Sequence, residues 1–298
     1  MRRLIVNADD FGLTDGINRA IIHLHQLGAL QSSTLMAAAP HFSEAVELST
    51  QHRSLGVGCH IMLVDGSPVA NPAAVPTLLD STANRTGEPR FRPTLGAFVR
   101  DLTLGRIDRA HIEQEAIAQI LRVQQAGISV THVDTHKHAH MFPTVLDAVM
   151  RAAKVCDVHA IRNPFEPSWS VKATPDARAI RTLQVRLLRS FRHNFWKLAH
   201  EREFVTTDGC LGVAATGILE ETALCAILNR MPEGTWELVC HPAYMDAELH
   251  ATRTRLQQSR QVELNALQAL PAMIEDSGSP IQAIHFGQLI PSARSASC

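Results

Sequence analysis

The sequence predicts an α/β protein, a single irregular (β/α) barrel, and three observations carry that expectation. Apolar runs of strand length alternate with helix-period segments almost throughout, the pattern of parallel strands joined by helices. About seven such units fit within 298 residues, which suits one barrel better than two separate domains. Polar residues gather where the apolar runs end, which is where such barrels carry their active sites. A composition of 45% hydrophobic and 19% charged residues supplies a packed core.

In chain order, the strands are expected over 3–8, 33–37, 56–62, 129–134, 158–162, 236–240 and 282–286. Helices are expected over 14–27, 43–50, 112–126, 143–153, 176–200, 220–229 and 253–269. The first strand reads as Leu4-Ile5-Val6, followed by two adjacent carboxylates, a turn glycine and an amphipathic segment. The stretch 64–92 is rich in Pro, Ala, Thr and Asn. It reads as a long loop, and such loops in compact domains often serve as lids. One barrel domain is expected over 1–290, followed by a tail over 291–298.

Several function classes are excluded. The formal net charge of −1 offers no basic field for nucleic acid. Six cysteines scattered without a CxxC pair fit neither a zinc ribbon nor a disulfide framework and suit a reducing cytosol. The N-terminus does not read as a signal peptide, and no apolar run is long enough to span a bilayer.

The strand ends carry the chemistry. Asp9 and Asp10 end the first strand, and His60 lies near the end of 56–62. Asp134-Thr135-His136-Lys137-His138-Ala139-His140 follows the fourth, Arg162-Asn163 ends the fifth, and His241-Pro242 follows 236–240. Two neighbouring carboxylates repel each other, and burying them calls for a cation. Asp, His and His drawn from separate strand ends form an oxygen/nitrogen set suited to a catalytic divalent ion with an open position. Taken singly, Asp9 or Asp10 could be a helix cap and His60 a satisfied half-buried histidine; their equivalent positions favour a site.

These residues carry a resemblance. Asn7-Ala8-Asp9-Asp10-Phe11-Gly12, Gly58-Cys59-His60-Ile61, the run from Thr131 to Pro143, and Glu237-Leu238-Val239-Cys240-His241-Pro242-Ala243 resemble the YdjC-like carbohydrate deacetylases, which include chitooligosaccharide deacetylases. Leu63-Val64-Asp65-Gly66-Ser67-Pro68 and Arg162-Asn163-Pro164-Phe165-Glu166-Pro167 resemble most closely the branch associated with hopanoid biosynthesis, which acts on an N-acetylglucosaminyl hopanoid. The resemblance implies a distorted seven-stranded (β/α) barrel and a metal-dependent N-deacetylase. It implies Asp10, His60 and His136 as metal ligands and Asp9 as general base. His138 and His140, with Asn163, are expected to bind substrate or to support the ligands. One divalent ion is expected, zinc first, with magnesium or another divalent ion as alternatives.

The chemistry of an amide supplies the remaining roles. Arg162 would hold Asp9 ionised, and His241 would protonate the leaving amine. The expected substrate is an N-acetylglucosamine-type sugar, linked to a hopanoid lipid, with chitooligosaccharides as the alternative. A metal-dependent hydrolase of another carbohydrate bond and a sugar- or lipid-binding protein without catalysis are the competing readings.

From Lys172 to Arg202 there are eight Lys/Arg against two acids. Apolar residues recur within this stretch at helical spacing. A basic amphipathic helix over 176–200 could lie on an anionic membrane, or simply show water its basic face. The expected localisation is cytoplasmic, with peripheral contact at the inner face of the membrane. Self-association into a homo-oligomer is expected, and a nucleic-acid partner is not.

Overall fold

The computed structural model describes residues 1–80, 87–175, 188–278 and 280–289. Strands β1 (Arg2–Phe11), β2 (Ser32–Leu35), β3 (Gly56–Ile61), β4 (Val133–Thr135), β5 (Gly209–Leu211), β6 (Gly234–Cys240) and β7 (Ile281–Ala283) are all parallel. Six of them run β4-β3-β2-β1-β6-β5 in one curled sheet, and β7 adds to β1. The helices are α1 (Asp15–Gln26), α2 (Phe42–Gln51), α3 (Leu95–Thr103), α4 (Arg109–Gln125), α5 (Pro143–Val155), α6 (Ser168–Ala173), α7 (Arg192–Glu201), α8 (Glu221–Arg230), α9 (Ala247–Ala251), α10 (Gln258–Gln268) and α11 (Leu270–Glu275).

β1 is buried on both faces because alternate residues enter different layers. Leu4, Val6 and Ala8 join the main core beneath the helices. Ile5 joins a smaller cluster with Ala160, Ile284 and Phe286. α1 begins where the Thr14 side chain accepts from the Ile17 amide. It buries Ile17, Ala20, Ile21 and Leu24, one stripe at helical spacing, each large member contributing about 1.5–3 kcal/mol. In β3, Gly58 is required by a close approach: a Cβ there would lie 2.4 Å from the His132 ring.

The expectation of a complete seven-stranded barrel is met only in part. The expected strand 158–162 pairs at single residues, Val133 with Ile161 and Ala160 with Val205. Pro164 and Pro167 follow at once and have no amide to extend a ladder. Regular pairing therefore stops at β4 on one side and β5 on the other. The expected strand 129–134 is regular only over Val133–Thr135. The stretch 64–92 contains short turns at Pro72–Ala74 and Pro76–Leu78 and a bridge between Leu79 and Phe91. Buried Glu115 of α4 ties it down by accepting from the Val69 and Ala70 amides at 2.9 and 3.1 Å. Residues 176–187 of the expected basic helix and the expected tail lie outside the described residues. Among the described residues no helix is long and apolar enough to cross a membrane.

Candidate active site

The site is built on a bulge. β1 pairs with β2 through Asn7–Ser32 and Ala8–Ser33, then slips so that Phe11 meets Leu35. The extra residue leaves Asp10 at φ 66°, in the left-handed region. Strict alternation would send adjacent side chains to opposite faces; the bulge instead turns both Asp9 and Asp10 toward the strand ends.

Asp10 Oδ1 lies 3.7 Å from His60 Nε2 and 3.5 Å from His136 Nδ1, and the two ring nitrogens are 3.3 Å apart. Bonds of about 2.0–2.2 Å in a tetrahedral set place neighbouring donors about 3.3–3.6 Å apart, so these three atoms fit one divalent ion. His60 Nδ1–H donates to Asp134 Oδ1 at 2.8 Å, which leaves the Nε2 lone pair facing that point. Burial alone would lower the His60 pKa, but Asp134, Asp9 and Asp10 push it up to about 9. A field that holds a proton there also attracts a cation. Asp9, His60 and Asp134 also converge, but Arg162 already supplies the positive charge at both of those carboxylates.

Arg162 is fully buried and contacts three carboxylates. Its NH2 and NH1 donate to Asp9 Oδ1 and Oδ2 at 2.7 and 2.9 Å, its Nε donates to Glu237 Oε1 at 2.7 Å, and NH1 also meets Asp134 Oδ2. Asp9 Oδ1 accepts in addition from Asn7 Nδ2 and Thr34 Oγ1, each at 3.1 Å. Burial would raise the Asp9 pKa, but Arg162 outweighs it and holds the carboxylate far below its usual range. Burial pushes Glu237 up to about 8, so at neutral pH it is largely protonated and the Arg162 charge is left to Asp9 and Asp134.

His241 Nε2 lies 3.9 Å from Asp9 Oδ2, and its Nδ1 faces Glu263 Oε2 at 3.8 Å. The His241 amide donates to that same oxygen at 2.6 Å. Arg260 NH2 donates to Asp10 Oδ2 at 2.5 Å. His140 serves the turn itself: burial, then Arg162, lowers it to about 3, so it is neutral. Its Nε2–H donates to the Arg162 carbonyl at 3.2 Å and its Nδ1 accepts from Thr135 Oγ1 at 2.7 Å. His138 has φ 53° and a buried Nδ1 with no hydrogen-bond partner among the described residues. Asn163 is buried, donating to Thr207 O and accepting from the Phe165 amide at 3.0 and 3.2 Å.

Asp10, His60 and His136 are thus brought together on one point, with Asp9, Arg162 and His241 beside them. His140 and Asn163 instead bond to backbone groups. Sequence reasoning assigned no role to Thr34, Asp134, Glu237, Arg260 or Glu263. The signal for the last two was present: Arg260, Glu263, Leu264 and Leu267 all lie on the buried stripe of α10.

Known proteins are similar to this chain in sequence and in fold. The family model described as YdjC-like protein matches residues 3–272. A carbohydrate deacetylase from Brevibacillus brevis is 32% identical over 96% of this chain and 99% of its own length. One from Thermoanaerobacter pseudethanolicus is 32% identical over 84% of each chain. The fold is similar to that of a proposed cellobiose-phosphate cleavage protein from Enterococcus faecalis, with a TM-score of 0.76 at 22% identity over 97% of this chain and 98% of the other. With the match running from the first strand through the helix that supplies Arg260 and Glu263, the chain belongs to the YdjC-like family.

Proposed function

We propose that the protein is a metal-dependent carbohydrate deacetylase that hydrolyses the acetamide of an N-acetylglucosamine-type sugar. The observation that carries this reading is the convergence of Asp10 Oδ1, His60 Nε2 and His136 Nδ1 beside an ionised Asp9. The relatives named carbohydrate deacetylases support the substrate class. A divalent ion held by Asp10, His60 and His136 would polarise the amide carbonyl and make water acidic enough to attack it. Zinc suits the donor set, whereas magnesium matches imidazole poorly.

The chain's own residues supply the proton transfers. Asp9 Oδ1 already accepts from Asn7, Thr34 and Arg162, while among the described residues Oδ2 accepts from Arg162 alone. Oδ2 is therefore the oxygen left to take the proton of the attacking water. Arg162 holds it ionised in the resting site, ready to accept that proton. His241 gives the leaving nitrogen its proton from Nε2, with Glu263 behind the ring at Nδ1. As the carbon–nitrogen bond breaks, acetate and a free amine leave.

The finer substrate is the sugar of a hopanoid glycolipid, supported by the stretches 63–68 and 162–167. Within them Asp65 accepts from Lys137 Nζ at 2.9 Å, beside the ligand His136. Buried Glu166 accepts from Ser170 Oγ and the Ala214 amide, each at 2.6 Å. A cytoplasmic enzyme acting on that lipid would meet the inner face of the membrane, where the basic stretch 172–202 suits anionic headgroups. Self-association is tested by sedimentation.

Acetate release from N-acetylglucosaminyl bacteriohopanetetrol and from diacetylchitobiose, before and after chelation and metal add-back, tests the reading. Release from the hopanoid alone, lost on chelation, is the expected result. Release from chitobiose alone would move the substrate to chitooligosaccharides, and chelator-insensitive release would overturn the metal role.

A further inference from the structure

We propose that Arg260 is a positioning residue that restricts Asp10 to a single metal-facing oxygen; the inference rests on the metal-site reading above. Asp10 has two oxygens with different surroundings. Oδ1 faces His60 and His136, whereas Oδ2 is taken by Arg260 NH2 at 2.5 Å. Arg260 is 1% exposed, so its head group is buried beside Asp10. Its Nε donates to Leu256 O at 3.0 Å, and its own carbonyl accepts from the Ala243 amide at 3.3 Å. One turn on, Glu263 is also 1% exposed and grips the His241 amide at 2.6 Å. The turn of α10 that holds the guanidinium is therefore pinned to the loop that carries His241.

Burying an arginine is costly without a paired anion, and here that anion is a ligand rather than the general base. A carboxylate free at both oxygens can grip a cation with both. That would fill a coordination position which hydrolysis needs for water or the substrate carbonyl. Arg260 keeps Oδ2 occupied and offsets part of the Asp10 charge, so the ion is held less tightly and its remaining positions stay available.

Removing Arg260 is expected to have two effects of opposite sense. With Co²⁺ as the probe ion, the full-length chain and its Arg260→Met and Arg260→Lys variants are compared by chelator competition, visible absorption and steady-state acetate release. Arg260→Met is expected to bind Co²⁺ about tenfold more tightly, because a positive charge next to the ion is removed and Oδ2 is released. Its weaker visible bands would report a higher coordination number, and kcat would fall with KM unchanged. Arg260→Lys places one ammonium near Oδ2 and falls between the two, and it carries the same test should Arg260→Met fail to fold. Unchanged or weaker Co²⁺ affinity with an unchanged spectrum would overturn the role of Arg260 and leave the metal site standing. Failure of the unsubstituted chain to bind Co²⁺ would overturn the metal reading and the inference with it.

Discussion

Asp9 and Asp10 are neighbours in sequence, yet each belongs to a different region of the molecule. Asp9 is held at both oxygens by Arg162, within a buried network that also includes Asp134 and Glu237. Asp10 gives one oxygen to Arg260 and turns the other toward two imidazoles. The difference is one of coverage. Arg162 meets both oxygens of Asp9 and keeps that carboxylate ionised. Arg260 meets one oxygen of Asp10, so the other lies beside His60 and His136 in a set that could hold a metal ion. One bulge in β1 gives adjacent residues these two surroundings.

The contrast can be broken by experiment. Asp9→Asn should lower kcat by about 10²–10⁴-fold while bound metal stays at wild-type stoichiometry, read by acetate release and metal analysis. A parallel loss of metal would make the two aspartates equivalent. Arg162→Met should destabilise the fold by about 3–5 kcal/mol in urea denaturation, because it leaves buried carboxylates without their cation. Asp134→Asn removes the anion behind His60 Nδ1 and should weaken metal binding about 10–100-fold in chelator competition; unchanged affinity would detach Asp134 from the ligand set.

The smallest effect is a pH dependence with two signs. His140, held at about 3, is neutral when folded and protonates more readily when unfolded. Stability should therefore fall as pH drops below the unfolded value of about 6.5, by up to about 1.4 kcal/mol per pH unit. His60, pushed up to about 9, acts oppositely: its contribution is complete below about 6.5 and is lost as pH rises through 9. Denaturation of chelated protein between pH 5 and 9 should give a maximum near 6.5, and metal loading should cut the alkaline limb back to the part that Glu237, pushed up to about 8, supplies. A limb that still extends to about 9 after loading would place the ion away from His60.

Sequence alone made the strand ends legible, because a polar residue closing an apolar run stands out locally. It put Asp10, His60 and His136 at separate strand ends without any knowledge of distance. The bulge was not legible, since it arises from pairing with β2, and alternation along an isolated strand would have separated Asp9 from Asp10. The expected strand over 158–162 survives as single bridges, and Pro164 and Pro167 just beyond it have no amide to extend a ladder. α3 was missed beside a loop whose Pro-rich composition dominated the reading. Arg260 and Glu263 were hidden for a different reason: charged residues on a helix read as solvated unless their stripe is followed turn by turn.

The placement of β7 against the start of β1 has a consequence for assembly. β1 aligns Arg2 with Gly234 of β6 and with Ile281 of β7, and Phe286 stacks beneath His132 at 3.7 Å. The strand bearing Asp9 and Asp10 finds β2 close by in sequence, but its ladder partners on the other side, β6 and β7, are made more than two hundred residues later. Such long-range pairing makes for high contact order and slow closure. During synthesis the first strand has to wait for them. A chain shortened before β6 would retain most of the histidines and both aspartates, and would have no strand on that side to hold them in place.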